Sequence, residues 1–135
     1  SPAIGGIVVG YEIGRKLGKE TIFAERENGQ LTLRRNFDIK KKSNVLIVED
    51  VITTGKSAIE CSKIVEKFNA IVVGYACLID RTNNNSVIEN KKIISQIKFK
   101  IETFDDKNLP KELINIPAIK PGSRNLKKWI KWILE

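Results

Sequence analysis

An unbroken apolar run, Val45-Leu46-Ile47-Val48, meets Glu49-Asp50 and then Thr53-Thr54-Gly55-Lys56-Ser57, and no other stretch constrains the fold as much. Consecutive apolar residues without polar alternation describe a strand buried on both faces, as in a parallel sheet. Beyond the loop, Ile59, Ile64, Val65 and Phe68 recur at helical spacing. The unit is strand, tight loop, helix, with the loop at the carboxyl end of the strand, where open α/β sheets bind ligands. Thr53, Thr54 and Ser57 offer hydroxyls, and Gly55 admits a close backbone approach. With the amides and dipole of the helix start, they suit one phosphate. Carboxylates repel phosphate, so Glu49 and Asp50 are expected to face ribose hydroxyls or a bridging magnesium instead. A phosphate on one side and a diol on the other describe a ribose 5-phosphate. Gly55-Lys56-Ser57 matches the end of a Walker A loop, but Asp50 stands where that motif needs its first glycine.

A chain of 135 residues predicts one domain with a single core. At 41% hydrophobic and 30% charged residues its composition is globular. No apolar run reaches the roughly 20 residues of a membrane helix, and no signal-peptide pattern is visible. A cytoplasmic protein without a membrane partner is expected. Cys61 and Cys77 lack metal-ligand spacing and read as buried, reduced thiols. The chain has no histidine, so acid–base work by imidazole is excluded and any metal must be held by oxygen ligands. The formal charge of +8 permits nucleic acid or a polyphosphate as ligand. The basic runs Lys40-Lys41-Lys42 and Lys127, Lys128, Lys131 carry no base-stacking aromatic pattern, so solvated surface is expected and nucleic acid is not.

Gly6, Gly10 and Gly14 stack on one face of a helix that Leu17-Gly18 ends. Glycine costs about 1 kcal/mol in a helix interior, so three in a row predict close approach to another backbone. Thr21 to Ala24 reads as a short strand, and Asn28-Gly29 as a hairpin turn flanked by Arg26 and by Arg34-Arg35. Such a polar excursion between sheet strands has the character of a mobile lid. Ile71 to Ile79 is a second buried parallel strand, reached by a right-handed crossover and ending in Asp80-Arg81. Arg81 could fork onto a substrate carboxylate, or form a plain salt bridge to Asp80 or Glu49. Residues 82–90 read as a polar loop, and Ile97 to Glu102 as an edge strand by its alternation. Pro110, Pro117 and Pro121 mark turns. Asn125 is placed to cap a final helix, Leu126 to Leu134, with Trp129, Ile130 and Ile133 on its apolar face.

The stretch Val45 to Ser57 resembles the signature of type I phosphoribosyltransferases, which bind 5-phosphoribosyl 1-diphosphate. Its fuller string, with Ser1-Pro2-Ala3 and Gly5-Gly6, the segment Phe23 to Phe37 and Ile119 to Arg124, is most similar to the orotate-using branch. The resemblance implies an α/β fold with a mainly parallel twisted sheet flanked by helices and a flexible hairpin loop. It also implies that residues 1–135 form the core domain without the family's amino-terminal segment. It implies binding of 5-phosphoribosyl 1-diphosphate by Arg26, Glu49, Asp50, Val51, Ile52, Thr53, Thr54, Gly55, Lys56 and Ser57. Catalysis would fall to Arg26, Arg34, Arg35 and Asp50, and orotate binding to Thr53 and Arg81. Residues 3 to 6 would touch the diphosphate; some members carry lysine where Gly5 stands, so one positive contact must come from elsewhere. Magnesium is implied as cofactor, held mainly by the ligand, with Asp50 the one candidate among the protein's own ligands. A homodimer is implied, each hairpin reaching over its neighbour's site. Two other readings stay open: a purine phosphoribosyltransferase, and a regulator that keeps the phosphoribosyl site but binds nucleic acid.

Overall fold

The computed structural model describes residues 1–83, 85–102, 104 and 107–117. The expected final helix, Pro121 and the Lys127, Lys128, Lys131 face lie outside these residues. Two compact units are distinguished, Ser1–Ile101 and Glu102–Glu135. In the second, the described residues include turns at 111–116, with Leu113 N donating to Pro110 O (2.9 Å). The first carries every named element: α1 (Gly5–Leu17), β1 (Ala24–Glu27), β2 (Gln30–Leu33), β3 (Asn44–Ile52), α2 (Lys56–Lys67), β4 (Ile71–Asp80), β5 (Val87–Ile88) and β6 (Lys91–Lys98). The main sheet runs in the order β3-β4-β6-β5, parallel except at β5, while β1 and β2 pair antiparallel in a separate two-stranded sheet.

The buried strand read from Val45 to Val48 continues to Ile52, so the acidic pair lies inside β3 and not at its end. Alternation then sends neighbouring side chains to opposite faces. Ile47 joins the core with Ala58, Cys61, Ile64 and Val65 of α2. Asp50 faces the start of α1, where a Cβ on Gly5 would fall on its carboxylate. The glycine stripe of α1 is buried, as its spacing predicts: a Cβ on Gly6 would stand 3.0 Å from Val48 O, and one on Gly14 would fall on Thr21 Oγ1. Gly18 closes α1 in the left-handed conformation (φ 62°), with Lys19 N bonded to Gly14 O (2.9 Å).

Three strand assignments need correction. The strand expected over Thr21 to Ala24 begins only at Ala24, because the preceding chain finds no ladder partner until Ala24 meets Pro2 and then Leu33. The strand expected over Ile97 to Glu102 is β6, Lys91–Lys98, and it lies between β4 and β5. It stops where its partner stops, at the Asp80–Lys98 pair. The expected loop 82–90 contains β5, whose pairing with β6 makes a two-residue hairpin at Glu89-Asn90. The Asn28-Gly29 hairpin forms as read, both residues at positive φ (50° and 83°), the geometry of a primed turn that matches strand twist. It is not merely an excursion: Ala24, Leu31 and Ile39 are buried in the common core.

Candidate functional site

The loop after β3 is built around Gly55, which caps α2 in the left-handed conformation (φ 74°) and, having no side chain, offers the helix end no cap bond of its own. The first amides of α2 are therefore left open to an anion. Thr53, Thr54 and Lys56 are exposed around this opening and Ser57 is half-buried. Lys56 N makes only a long contact, 3.4 Å, to Thr54 Oγ1. Val51 N donates to Asp50 Oδ1 (2.9 Å), which fixes the carboxylate beside Gly5 at the positive end of α1. Ala3 and Ile4, joined by a cis peptide bond, lead into that helix.

Glu49 is the buried member of the acidic pair, 7% exposed, and its Oε1 has no hydrogen-bond partner among the described residues. Burial raises its pKa from 4.5 to about 7, and the neighbouring Asp50 charge pushes the same way. A group whose pKa is raised on folding holds its proton more tightly in the fold than in the open chain. Its contribution is fully present below about pH 4.5 and is lost as pH rises through 7. The displacement corresponds to on the order of 3 kcal/mol. Glu49→Gln, which stays neutral, should therefore melt roughly 10 °C above the parent at pH 8 and with it at pH 4. Thermal unfolding at both pH values is the measurement, and a difference independent of pH would refute the assignment.

Arg81 lies where β4 ends beside β3, its backbone N donating to Ile52 O (2.8 Å). The structure thus brings Thr53 and Arg81 to one edge of the loop. Its neighbour Asp80 is buried and braces the turn: Oδ1 accepts from Thr82 N (2.9 Å) and Thr82 Oγ1 (2.7 Å), and Oδ2 from Ser86 Oγ (2.6 Å). Burial alone would raise the Asp80 pKa, but the bonds from Ser86 and Thr82 outweigh it and leave it lowered. Asp80 is satisfied within this turn, and the buried Arg81 Nε has no hydrogen-bond partner among the described residues. The plain salt bridge considered for Arg81 is not made.

The three hairpin arginines turn instead to glutamates that the sequence reading did not weigh. Arg35 forks onto Glu25 (2.8 and 2.9 Å) and sits 5.7 Å from the Phe23 ring centroid. Arg34 is 3.9 Å from Glu27. Arg26 Nη1 bonds to Gly29 O (2.7 Å) and lies 2.9 Å from Glu60 Oε2 of α2, an ion pair without hydrogen-bond alignment. Arg26, Arg34 and Arg35 are thus gathered on one hairpin, directed at its own carboxylates and at α2. Cys61 and Cys77 are buried and unbridged, and burial pushes both thiols up to about 11, so neither is poised as a nucleophile.

An open helix start, an acidic pair on the preceding strand and a mainly parallel sheet define an α/β protein with its loop at the carboxyl end of a central strand. The chain matches the phosphoribosyl transferase domain over residues 2–108 and belongs to that family. It is 45% identical over 126 residues to a protein named orotate phosphoribosyltransferase from Maricaulis maris (strain MCS10), covering 93% of this chain and 64% of that protein. The chain therefore spans somewhat under two thirds of the length of that relative. In fold it is similar to an adenine phosphoribosyltransferase from Thermoanaerobacter pseudethanolicus (TM-score 0.64, 22% identity, 73% of this chain and 67% of that one). It is also similar to an orotate phosphoribosyltransferase from Aeropyrum pernix (TM-score 0.60, 20% identity, 73% and 58%). Among the described residues no helix is long and apolar enough to cross a membrane.

Proposed function

We propose that the chain transfers ribose 5-phosphate from 5-phosphoribosyl 1-diphosphate to orotate, giving orotidine 5′-monophosphate and diphosphate, a step of pyrimidine synthesis. The observation that carries this reading is the buried, unpartnered Arg81 Nε beside the uncapped start of α2, with the name of the 45%-identical relative pointing the same way. The open amides and hydroxyls from Thr53 to Ser57 take the 5-phosphate, and Glu49 and Asp50 take the ribose hydroxyls. Arg81, with Thr53, receives the orotate carboxylate, a charge the purine bases lack. The bond from the ribosyl carbon to the diphosphate oxygen breaks, its electron pair leaving with diphosphate, and a ring nitrogen of orotate, reacting as its anion, forms the new bond. Positioning and electrostatics supply the acceleration, so no histidine is required.

Arg26, Arg34 and Arg35 neutralise the departing diphosphate once they exchange Glu60, Glu27 and Glu25 for it. Magnesium would be carried mainly by the ligand's oxygens, with Asp50 as a carboxylate partner. When bound, magnesium would offset the charge of the diphosphate. Our reading includes a homodimer, supported by an exposed apolar stripe formed by Ile4, which precedes α1, and by Val8 and Tyr11 on it (85%, 70% and 59% exposed). It includes a cytoplasmic setting, supported by the two unbridged thiols, and no nucleic-acid partner, since Lys40 to Lys42 are exposed without a stacking platform. The test is incubation with 5-phosphoribosyl 1-diphosphate, magnesium and either orotate or adenine, following loss of base absorbance. Orotate consumption with formation of orotidine 5′-monophosphate is expected. Consumption of adenine alone would move the chain to the purine branch.

A further inference from the structure

The hairpin of β5 and β6 meets the phosphate loop at a place that the proposed chemistry does not use. Ile88 is buried (6% exposed) and lies over the loop glycine: a Cβ on Gly55 would come within 2.7 Å of Ile88 Cδ1 and 3.1 Å of Cγ1. The next residue, Glu89, reaches inward. Its Oε2 accepts hydrogen bonds from Ser62 Oγ (2.6 Å) and Tyr75 Oη (2.6 Å), both fully buried. Ser62 lies seven residues after Gly55, two turns down the same side of α2. The hairpin is therefore strapped along α2 at two points, Ile88 on the loop and Glu89 on the helix body.

The backbone at this turn is unusual for the residue it carries. Glu89 and Asn90 stand at φ 47° and 61° in a two-residue loop, a primed turn that favours asparagine and glycine. A glutamate there is held against its conformational preference. Only its carboxylate, satisfied by two buried hydroxyls, accounts for its place. Those bonds lower the Glu89 pKa, Ser62 contributing most, while burial and then the Glu89 bond push Tyr75 up to about 12.

We propose that Glu89 is a positioning residue for the phosphate loop, clamping Ser62 and Tyr75 so that Ile88 presses Gly55 into the conformation that opens the α2 amides to a 5-phosphate. The proposal rests on the ribose 5-phosphate reading of that loop. Glu89 touches no substrate; it acts through Ile88.

Calorimetric titration of the whole chain with ribose 5-phosphate tests it, with the KM values for 5-phosphoribosyl 1-diphosphate and orotate measured beside it. Glu89→Ala should raise the ribose 5-phosphate Kd and the KM for 5-phosphoribosyl 1-diphosphate about tenfold, the effect of losing one charged hydrogen-bonded clamp, and leave the orotate KM within about twofold. Glu89→Gln keeps an acceptor oxygen and should recover most of the loss. Tyr75→Phe, which leaves the turn intact, should raise the Kd by about threefold and serves if Glu89→Ala does not fold. A residue that only stabilised the fold would lower Tm while leaving the Kd of the folded protein unchanged, and that result overturns the clamp. Failure of the parent to bind ribose 5-phosphate overturns the reading of the loop and the clamp with it. Binding by the parent with equal binding by Glu89→Ala overturns the clamp alone.

Discussion

Gly55→Ala should weaken ribose 5-phosphate binding by well over tenfold and lower the stability of the chain by roughly 2–5 kcal/mol. Two separate effects add at this position. The left-handed conformation at φ 74° costs an alanine about 1–2 kcal/mol. The new methyl group would also meet the Ile88 side chain at 2.7 Å, an overpacking of about 1–3 kcal/mol. Whichever part of the structure yields, the first turn of α2 moves, and with it the amides proposed to face the phosphate. Urea unfolding and calorimetric titration read the two consequences separately. Adding Ile88→Ala to Gly55→Ala should restore the share due to collision and not the share due to the backbone, so the pair should be non-additive. Unchanged affinity in Gly55→Ala would mean that the loop does not hold the phosphate. Additive losses in the double variant would mean that Ile88 does not bear on it.

The stretch that frames Gly55 was legible in the sequence because its fold and its chemistry are both local. Val45 to Ser57 contains the strand, the turn and the helix start, and the hydroxyls lie where the helix amides open. The same holds for Asn28-Gly29 and for the glycine that ends α1, each a backbone conformation dictated within a few residues. What could not be read is what depends on a distant partner. β6 ends at Lys98 because β4 ends at Asp80, although the alternation of the sequence runs on to Glu102. The acidic pair was expected at a strand end, yet β3 carries it inside, since Val51 and Ile52 find partners in Ile79 and Asp80. Glu89 meets Tyr75 and Ser62 across 14 and 27 residues, and nothing in a polar, asparagine-rich stretch distinguishes it. The one available signal was local: Val87-Ile88 and Lys91 onward flank two residues, a hairpin spacing. The glutamates opposite the hairpin arginines could have been guessed for Glu25 and Glu27, which are close in sequence, but not for Glu60 on α2.

Arg81→Ala should lower kcat/KM for orotate by roughly 30- to 5000-fold, the range that follows from removing one partner of a desolvated charge pair at about 2–5 kcal/mol. The size follows from the setting of the side chain. Asp80, the nearest carboxylate in sequence, is taken up by Thr82 and Ser86, so the buried Arg81 Nε has no partner among the described residues and is open to an arriving acceptor. A planar carboxylate suits a guanidinium fork better than any neutral acceptor. Arg81→Lys keeps the charge but loses the fork, and should fall between the parent and the alanine variant. The ribose 5-phosphate Kd should stay within about threefold in both, since the proposed reading assigns the 5-phosphate to the α2 start and not to β4. That contrast separates base recognition from collapse of the site. Equal losses for orotate and ribose 5-phosphate would make Arg81 a prop of the β3–β4 edge, where its backbone already bonds to Ile52. Loss confined to orotate would place the carboxylate of the base at this guanidinium and fix which side of the loop the base enters.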